Sequence, residues 1–137
     1  MRKRAGVIVT NSDEILLIER VKNGDHYWVI PGGGIEEGEE EKEAACRELQ
    51  EELSIDVERE QLNPFCHITM NDKDEVYYQI EIERQEFEIC GEEKERSNEL
   101  NIYNPVWIKI EQALKIDLRP EEIKSEIRSA YRGKSIL

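Results

Sequence analysis

Residues 33–55 read GGIEEGEEEKEAACRELQEELSI, and the fold of the chain turns on this stretch. With Pro31 and Gly32 ahead of it, the glycine loop lets the backbone approach a ligand closely, and a helix follows that carries Arg47, Glu48, Glu51 and Glu52 in its last turns. At about 100° per residue, Glu48 and Glu52 stand one turn apart with Glu51 beside them. Three carboxylates on one face repel by roughly a few tenths of a kcal/mol per pair, and near a helix C-terminus they also oppose the macrodipole. A hard cation held by their oxygens reverses the sign of that cost. Ala45, Cys46, Leu49 and Leu53 form the neighbouring stripe, which is suited to a core.

Arg47 has a different address on the wheel. It lies four residues from both Glu43 and Glu51 and can pair with either, holding Glu51 in one rotamer. Taken alone, such a helix reads first as a solvated acidic face with ordinary ion pairs. The stretch as a whole says more. Gly33, five residues, Glu39, seven residues, Arg47-Glu48, Leu49, Gln50, Glu51-Glu52, Leu53, Ser54 and Ile55 resemble the Nudix box, GX5EX7REUXEEXGU with U apolar. The one departure is Ser54, where the pattern has a glycine that lets the chain leave the helix with positive φ. The resemblance continues through YWVIPGGG before the box and PVWI late in the chain, and so covers most of the 137 residues.

Composition sets the outer bounds. The length suits a single domain over 1–137, and 37% charged against 38% hydrophobic residues describes a folded core under a very charged surface. A net charge of −13 repels nucleic acid and anionic membranes, so stable nucleic-acid binding is not expected. Cys46, Cys66 and Cys90 match neither a zinc pattern nor a disulfide framework, which suits a reduced cytosol. With no signal-peptide core or apolar span, the expected location is cytoplasmic, with no membrane association.

The remaining chain reads as strands, loops and a closing helix. Ala5–Thr10 and Glu14–Glu19 suggest a hairpin about Asn11-Ser12-Asp13, and Val21–His26 reads as a polar loop. Arg20, Lys22 and His26 flank that loop, as surface charge or as phosphate contacts beside the glycines. Tyr27–Ile30 is a short strand, with Trp28 in the core. Phe65–Met70 and Glu75–Arg84 are strands about an Asn71–Asp74 turn; in the second, Val76, Tyr78, Ile80 and Ile82 face a core while Tyr77, Gln79, Glu81 and Glu83 face out. Residues 91–101, GEEKERSNELN, form a polar loop, and Val106–Ile110 follows as a strand with Trp107 in the core. Asn101 and Tyr103 stand where that loop returns, placed to meet a base or to pack. Pro120–Tyr131 is an amphipathic closing helix with proline in its first turn. Alternating elements with antiparallel strands give the α/β class, an α/β/α sandwich around a mixed, partly antiparallel sheet, which is also the fold the resemblance implies.

The resemblance further implies a reaction. Glu48, Glu51 and Glu52 are expected to hold Mg2+, with Mn2+ as a substitute, and the backbone of Gly32, Gly33 and Gly34 to complete the metal shell and contact substrate. Glu51, Glu52, Arg47 and a further glutamate from the polar loop, Glu99 or behind it Glu93, are the catalytic candidates; the base is Glu51 or Glu99. Arg20 and Tyr103 join the substrate-binding set. The partner is a small nucleoside diphosphate linked to another moiety, which would leave as its phosphorylated form. Oxidised nucleoside triphosphates, dinucleoside polyphosphates and nucleotide sugars all stay open, as do a homodimer, a regulatory module that binds nucleotide without turnover, and a plain acidic domain.

Overall fold

The computed structural model describes residues 2–86 and 101–131. Its strands are β1 (Arg2–Asn11), β2 (Glu14–Lys22), β3 (Asp25–Val29), β4 (Gly32–Gly34), β5 (Asn63–Met70), β6 (Lys73–Glu81), β7 (Asn101–Lys109) and β8 (Leu118–Arg119). The helices are α1 (Glu41–Leu53), α2 (Ile110–Ala113) and α3 (Glu122–Ala130), with a single 3-10 turn at Arg59–Gln61. The sheet runs β5-β6-β1-β2-β3-β8, with β4 added to β1 and β7 added to β2. It is mixed: β1 is parallel to β6 and antiparallel to β2 and β4.

The apolar runs of β1 and β2 explain where the cores sit. Ala5, Val7, Val9, Leu16 and Ile18 face one side and pack under Ala44, Ala45, Leu49 and Leu53 of α1. Ile8, Ile15 and Leu17 face the other side and meet Ile110, Ala113, Ile123 and Ile127 of α2 and α3. Strands buried on both faces read as continuous apolar runs, and these two do. The result is the three-layer α/β/α arrangement.

Several boundaries and one face differ from the sequence reading. Asn23-Gly24 is a two-residue turn with φ of 51° and 84°, so β2 and β3 are a hairpin and not strands flanking a loop. β7 begins at Asn101 because it pairs along the whole of β2, from Lys22↔Asn101 to Glu14↔Lys109. β6 ends at Glu81, and α3 starts at Glu122, leaving Pro120 ahead of the helix. Tyr77 does not face solvent. It is buried in the second core, its hydroxyl donates to Glu75 Oε1 at 2.6 Å, and the absence of a side chain at Gly6 makes room for its ring: a Cβ there falls 2.7 Å from it. Burial raises the Tyr77 phenol, and the Glu75 carboxylate adds to that rise. Trp28 and Trp107 pack against the two cores but stay partly exposed.

Candidate active site

α1 begins at Glu41. Glu40 is its N-cap and forms a reciprocal capping box with Glu43, whose Oε1 accepts the Glu40 N–H at 3.1 Å. That use of Glu43 removes it as a partner for Arg47. Glu39, just outside the helix, takes the role instead: Arg47 Nε donates to Glu39 Oε2 at 2.7 Å and Nη2 to Oε1 at 3.0 Å, a two-pronged contact. The same guanidinium reaches the Gly34 carbonyl at 2.9 Å, Glu48 Oε1 at 3.0 Å and Glu51 Oε2 at 3.2 Å. All five of its N–H donors are therefore placed. Glu39 first, then Glu48, raise Arg47 further above its ordinary value, while Arg47 holds the Glu39 carboxyl below the usual glutamate range.

The carboxylates meet β4 one by one. Glu52 is buried at 8% exposure, and its Oε1 accepts the N–H of Gly32 at 2.9 Å. Glu48 lies against Gly33, where a Cβ falls 2.5 Å from the carboxyl carbon and both oxygens. Gly32 itself runs so close to β1 that a Cβ meets the Ala5 carbonyl oxygen at 2.2 Å. The glycines thus serve two distances at once, strand to strand and strand to carboxylate. Glu51 keeps a 54% exposed side chain at the edge of the group.

The helix ends as the box requires despite its serine. Ser54 adopts φ 56° and ψ 32°, its N–H bonds to the Gln50 carbonyl and that of Ile55 to the Leu49 carbonyl. A left-handed residue at this position closes the helix whether or not it is glycine, at a cost of roughly 1–2 kcal/mol for a residue with a Cβ.

The donors here are hard oxygen atoms, which fits a divalent cation chemically: Glu48 and Glu52 stand beside the backbone of Gly32–Gly34. Among the described residues no three His, Cys, Asp or Glu side chains converge as a finished cation cage. Glu51 is the carboxylate standing off, tied to Arg47.

Of the other expected site residues, Arg20 and Tyr103 come together, the guanidinium carbon 3.7 Å from the ring centroid. Tyr27 joins them at 5.7 Å and was missed by the sequence reading; the Asn23-Gly24 turn signals the hairpin that sets it opposite Arg20. His26 alternates with Tyr27 onto the face of Trp28, lies tilted against that ring with centroids 4.5 Å apart and holds Glu19 at 2.8 Å, away from the α1 face. Glu93 and Glu99 lie outside the described residues, as does Cys90.

Three comparisons bear on this geometry. A model of the NUDIX domain matches residues 1–128. An RNA pyrophosphohydrolase of Pelagibacter ubique is 39% identical over 56 residues, 40% of this chain and 35% of that protein. Against the curated relatives it first matches, the chain spans 31–44% of their length. Among solved structures, a Caenorhabditis elegans Ap4A hydrolase in a binary complex superposes with a TM-score of 0.69 and 26% identity, covering 96% of this chain and 97% of that one. A MutT structure from work on Aliivibrio salmonicida and Vibrio cholerae gives a TM-score of 0.72 at 21% identity, over 94% and 98% of the two chains, which is a likeness of fold. Among the described residues no helix is long and apolar enough to cross a membrane.

Proposed function

We propose, starting from the fact that the chain belongs to the NUDIX family, that it is a pyrophosphohydrolase acting on a nucleoside diphosphate linked to another moiety. The observation that supports this most directly is the contact of Glu52 and Glu48 with consecutive glycines of β4, under one arginine that also grips Glu51, Glu39 and Gly34. Family members generally use divalent metal ions, and Glu48, Glu52, Glu51 and the Gly32–Gly34 backbone are the groups that would hold Mg2+, or Mn2+ in its place. Such an ion, when bound, supplies charge neutralisation for the phosphoryl oxygens.

The rest falls to the chain's own groups. Arg47 fixes the rotamers of Glu48 and Glu51 from one side, so that neither carboxylate has to be ordered when substrate arrives. Glu52 ties the helix to the Gly32 N–H and so sets the distance between the acids and the glycine strand. Water attacks phosphorus, the anhydride P–O bond breaks with its electron pair going to the leaving phosphate, and the exposed Glu51 carboxylate takes the proton of the water. The products are a nucleoside monophosphate and the phosphorylated remainder.

The test is release of phosphate or pyrophosphate from a panel of nucleoside triphosphates, oxidised triphosphates, dinucleoside polyphosphates and nucleotide sugars, with Mg2+ and with chelator. Each reaction is run with and without added phosphatase, since some products are monoesters. Chelator-sensitive turnover of at least one class is expected, and Glu52→Gln lowers it by about a hundredfold or more, with far-UV circular dichroism unchanged. Silence of the unmodified chain across the panel refutes the reading.

A further inference from the structure

β4 is three glycines, Gly32–Gly34, and so has no side chain with which to hold itself in place. Glycine also loses more conformational freedom on ordering than any other residue, so the strand that meets the acids is one that depends on anchors from its neighbours. The ladder to β1 supplies part of the hold. Gly32, Gly33 and Gly34 stand opposite Gly6, Ala5 and Arg4, the Val7 N–H donates to the Pro31 carbonyl at 2.9 Å, and the Ile35 N–H donates to the Lys3 carbonyl at 3.0 Å. On the α1 face, Arg47 donates to the Gly34 carbonyl and Glu52 accepts from the Gly32 N–H.

The opposite face has an arginine of its own. Ala5 packs in the core under α1, so Arg4 and Gly6 belong to the other side of the sheet, where Ile8 joins the second core. Opposed residues of an antiparallel pair share a face, and the back of β4 is therefore the bare backbone of Gly32 and Gly34. The half-buried Arg4 side chain spans it. It starts opposite Gly34, and its Nη2 donates to the Ile30 carbonyl at 3.0 Å, beyond the other end of the strand. Beside it the Tyr77 ring fills the space at Gly6, and the Tyr77 hydroxyl donates to Glu75, which stands opposite Arg4 in the ladder to β6. Burial and Glu75 raise the Tyr77 phenol, and the Arg4 charge acts on it in the opposite sense, as a cation near that hydroxyl does. Two guanidinium groups thus grip the glycine strand from opposite faces and at opposite ends, Arg47 at Gly34 and Arg4 at Ile30.

Resting on the hydrolase reading above, we propose that Arg4 is a positioning residue for the reaction: from behind the sheet it fixes the bend at Ile30-Pro31 and so keeps Gly32 and Gly33 in register with Glu52 and Glu48. The Ile30 side chain is already buried in the second core. What the Arg4 bond adds is a fixed carbonyl, and with it a fixed peptide plane leading into Pro31 and Gly32. Because Arg4 lies on the face away from α1, it acts on the acids through the strand and not by touching them.

The experiment compares Arg4→Met, which keeps a long unbranched side chain and loses the donor, with Arg4→Lys, which keeps a charged donor for a single carbonyl. Three quantities are read on the full chain: steady-state kinetics with Mg2+ on the substrate found by the panel, amide hydrogen exchange at Gly32 and at Leu49 of α1 by NMR without substrate, and urea unfolding. Arg4→Met is expected to lower kcat about tenfold with KM within about twofold, and to speed exchange at Gly32 about tenfold while Leu49 and the urea midpoint stay put; tenfold is the order of a hydrogen bond from a charged donor. Arg4→Lys is expected to restore most of both. Unchanged kcat or unchanged Gly32 exchange in Arg4→Met overturns the proposal. So does equal acceleration at Gly32 and Leu49 with a lowered midpoint, which makes Arg4 a residue of general stability, and so does Arg4→Lys as impaired as Arg4→Met. The two readings fail separately: Arg4-dependent exchange at Gly32 without turnover of any panel substrate removes the hydrolase and leaves the brace, whereas turnover indifferent to Arg4 removes the positioning role and leaves the hydrolase.

Discussion

Gly33→Ala isolates the position of one carboxylate. A Cβ at residue 33 falls 2.5 Å from the Glu48 carboxyl carbon and both its oxygens, against a comfortable separation of about 3.5 Å. The carboxyl must therefore retreat by about 1 Å. Gly33 does not have positive φ, so alanine enters the backbone without strain, and the colliding group is the far end of a flexible side chain. That end is also held, since Glu48 Oε1 accepts from Arg47 Nη1 at 3.0 Å. The expected outcome is a split: stability falls by about 1 kcal/mol or less, while a displacement of about 1 Å at a reacting centre lowers turnover about a hundredfold, close to 2.7 kcal/mol in activation free energy. Steady-state kinetics on the substrate found by the panel, with denaturant unfolding of the same preparation, reads both. Gly32→Ala is the contrast, because its Cβ would meet backbone, the Ala5 carbonyl oxygen at 2.2 Å, and φ is 154°; there the fold itself should suffer, by about 3 kcal/mol or more. Wild-type turnover in Gly33→Ala refutes the claim that the Gly33–Glu48 approach sets the site. Equal loss of stability in both variants refutes the distinction between side-chain and backbone collision.

Other expectations follow from the same geometry. Ser54→Gly should raise stability by about 0.5–1 kcal/mol, the relief of a left-handed Cβ less the added freedom of the unfolded chain, read as an upward shift of the urea midpoint at constant m-value; a downward shift contradicts the cap assignment. Because Arg47 depresses the Glu39 carboxyl, that pair contributes stability above the ordinary glutamate pKa and loses it as pH falls through the lower folded value. Glu39→Gln should accordingly be less stable than the parent at neutral pH, with the gap in unfolding midpoint closing below about pH 4; a gap independent of pH excludes the linkage.

What could be read from residues alone follows physical range. The acidic face of α1, its apolar stripe and the glycine loop are local patterns, and they stand in the structure where spacing put them. Partners set by more than one neighbouring element were not legible in the same way. Arg47 lies at helical spacing from Glu43, but Glu43 is drawn to the N-cap, and the capping box competes successfully for it. Tyr77 occupies an outward phase of its strand by alternation; only the distant Gly6, brought beside it by parallel pairing, turns that phase into a core position. The grouping of Arg20 with Tyr27 and Tyr103 needs three strands in register, two of them set by a turn dipeptide that is visible in sequence and a third, β7, whose pairing with β2 is not. The contact of Glu52 with the Gly32 N–H spans twenty residues and depends on how α1 lies over β4, which no periodicity encodes.

The parallel pairing of β1 with β6 also has a consequence in time. Arg2 meets Lys73 and Thr10 meets Glu81, so every residue of this ladder waits for a partner 71 positions later. At about 5–20 residues per second of synthesis, β1 leaves the ribosome roughly 4–14 s before β6 does, and closing a loop of that length costs about 4 kcal/mol of chain entropy. Its turn-linked neighbour β2 is available at once and pairs on a timescale of about microseconds, but only across Val9–Asn11. The edge of β1 that meets β6 therefore stays unpaired for seconds in every round of translation, while its other edge is taken by β2 and then by Gly32–Gly34 across Arg4–Gly6. An unpaired edge of that kind is a template for pairing with another chain, and it closes only when a single strand, Lys73–Glu81, has emerged.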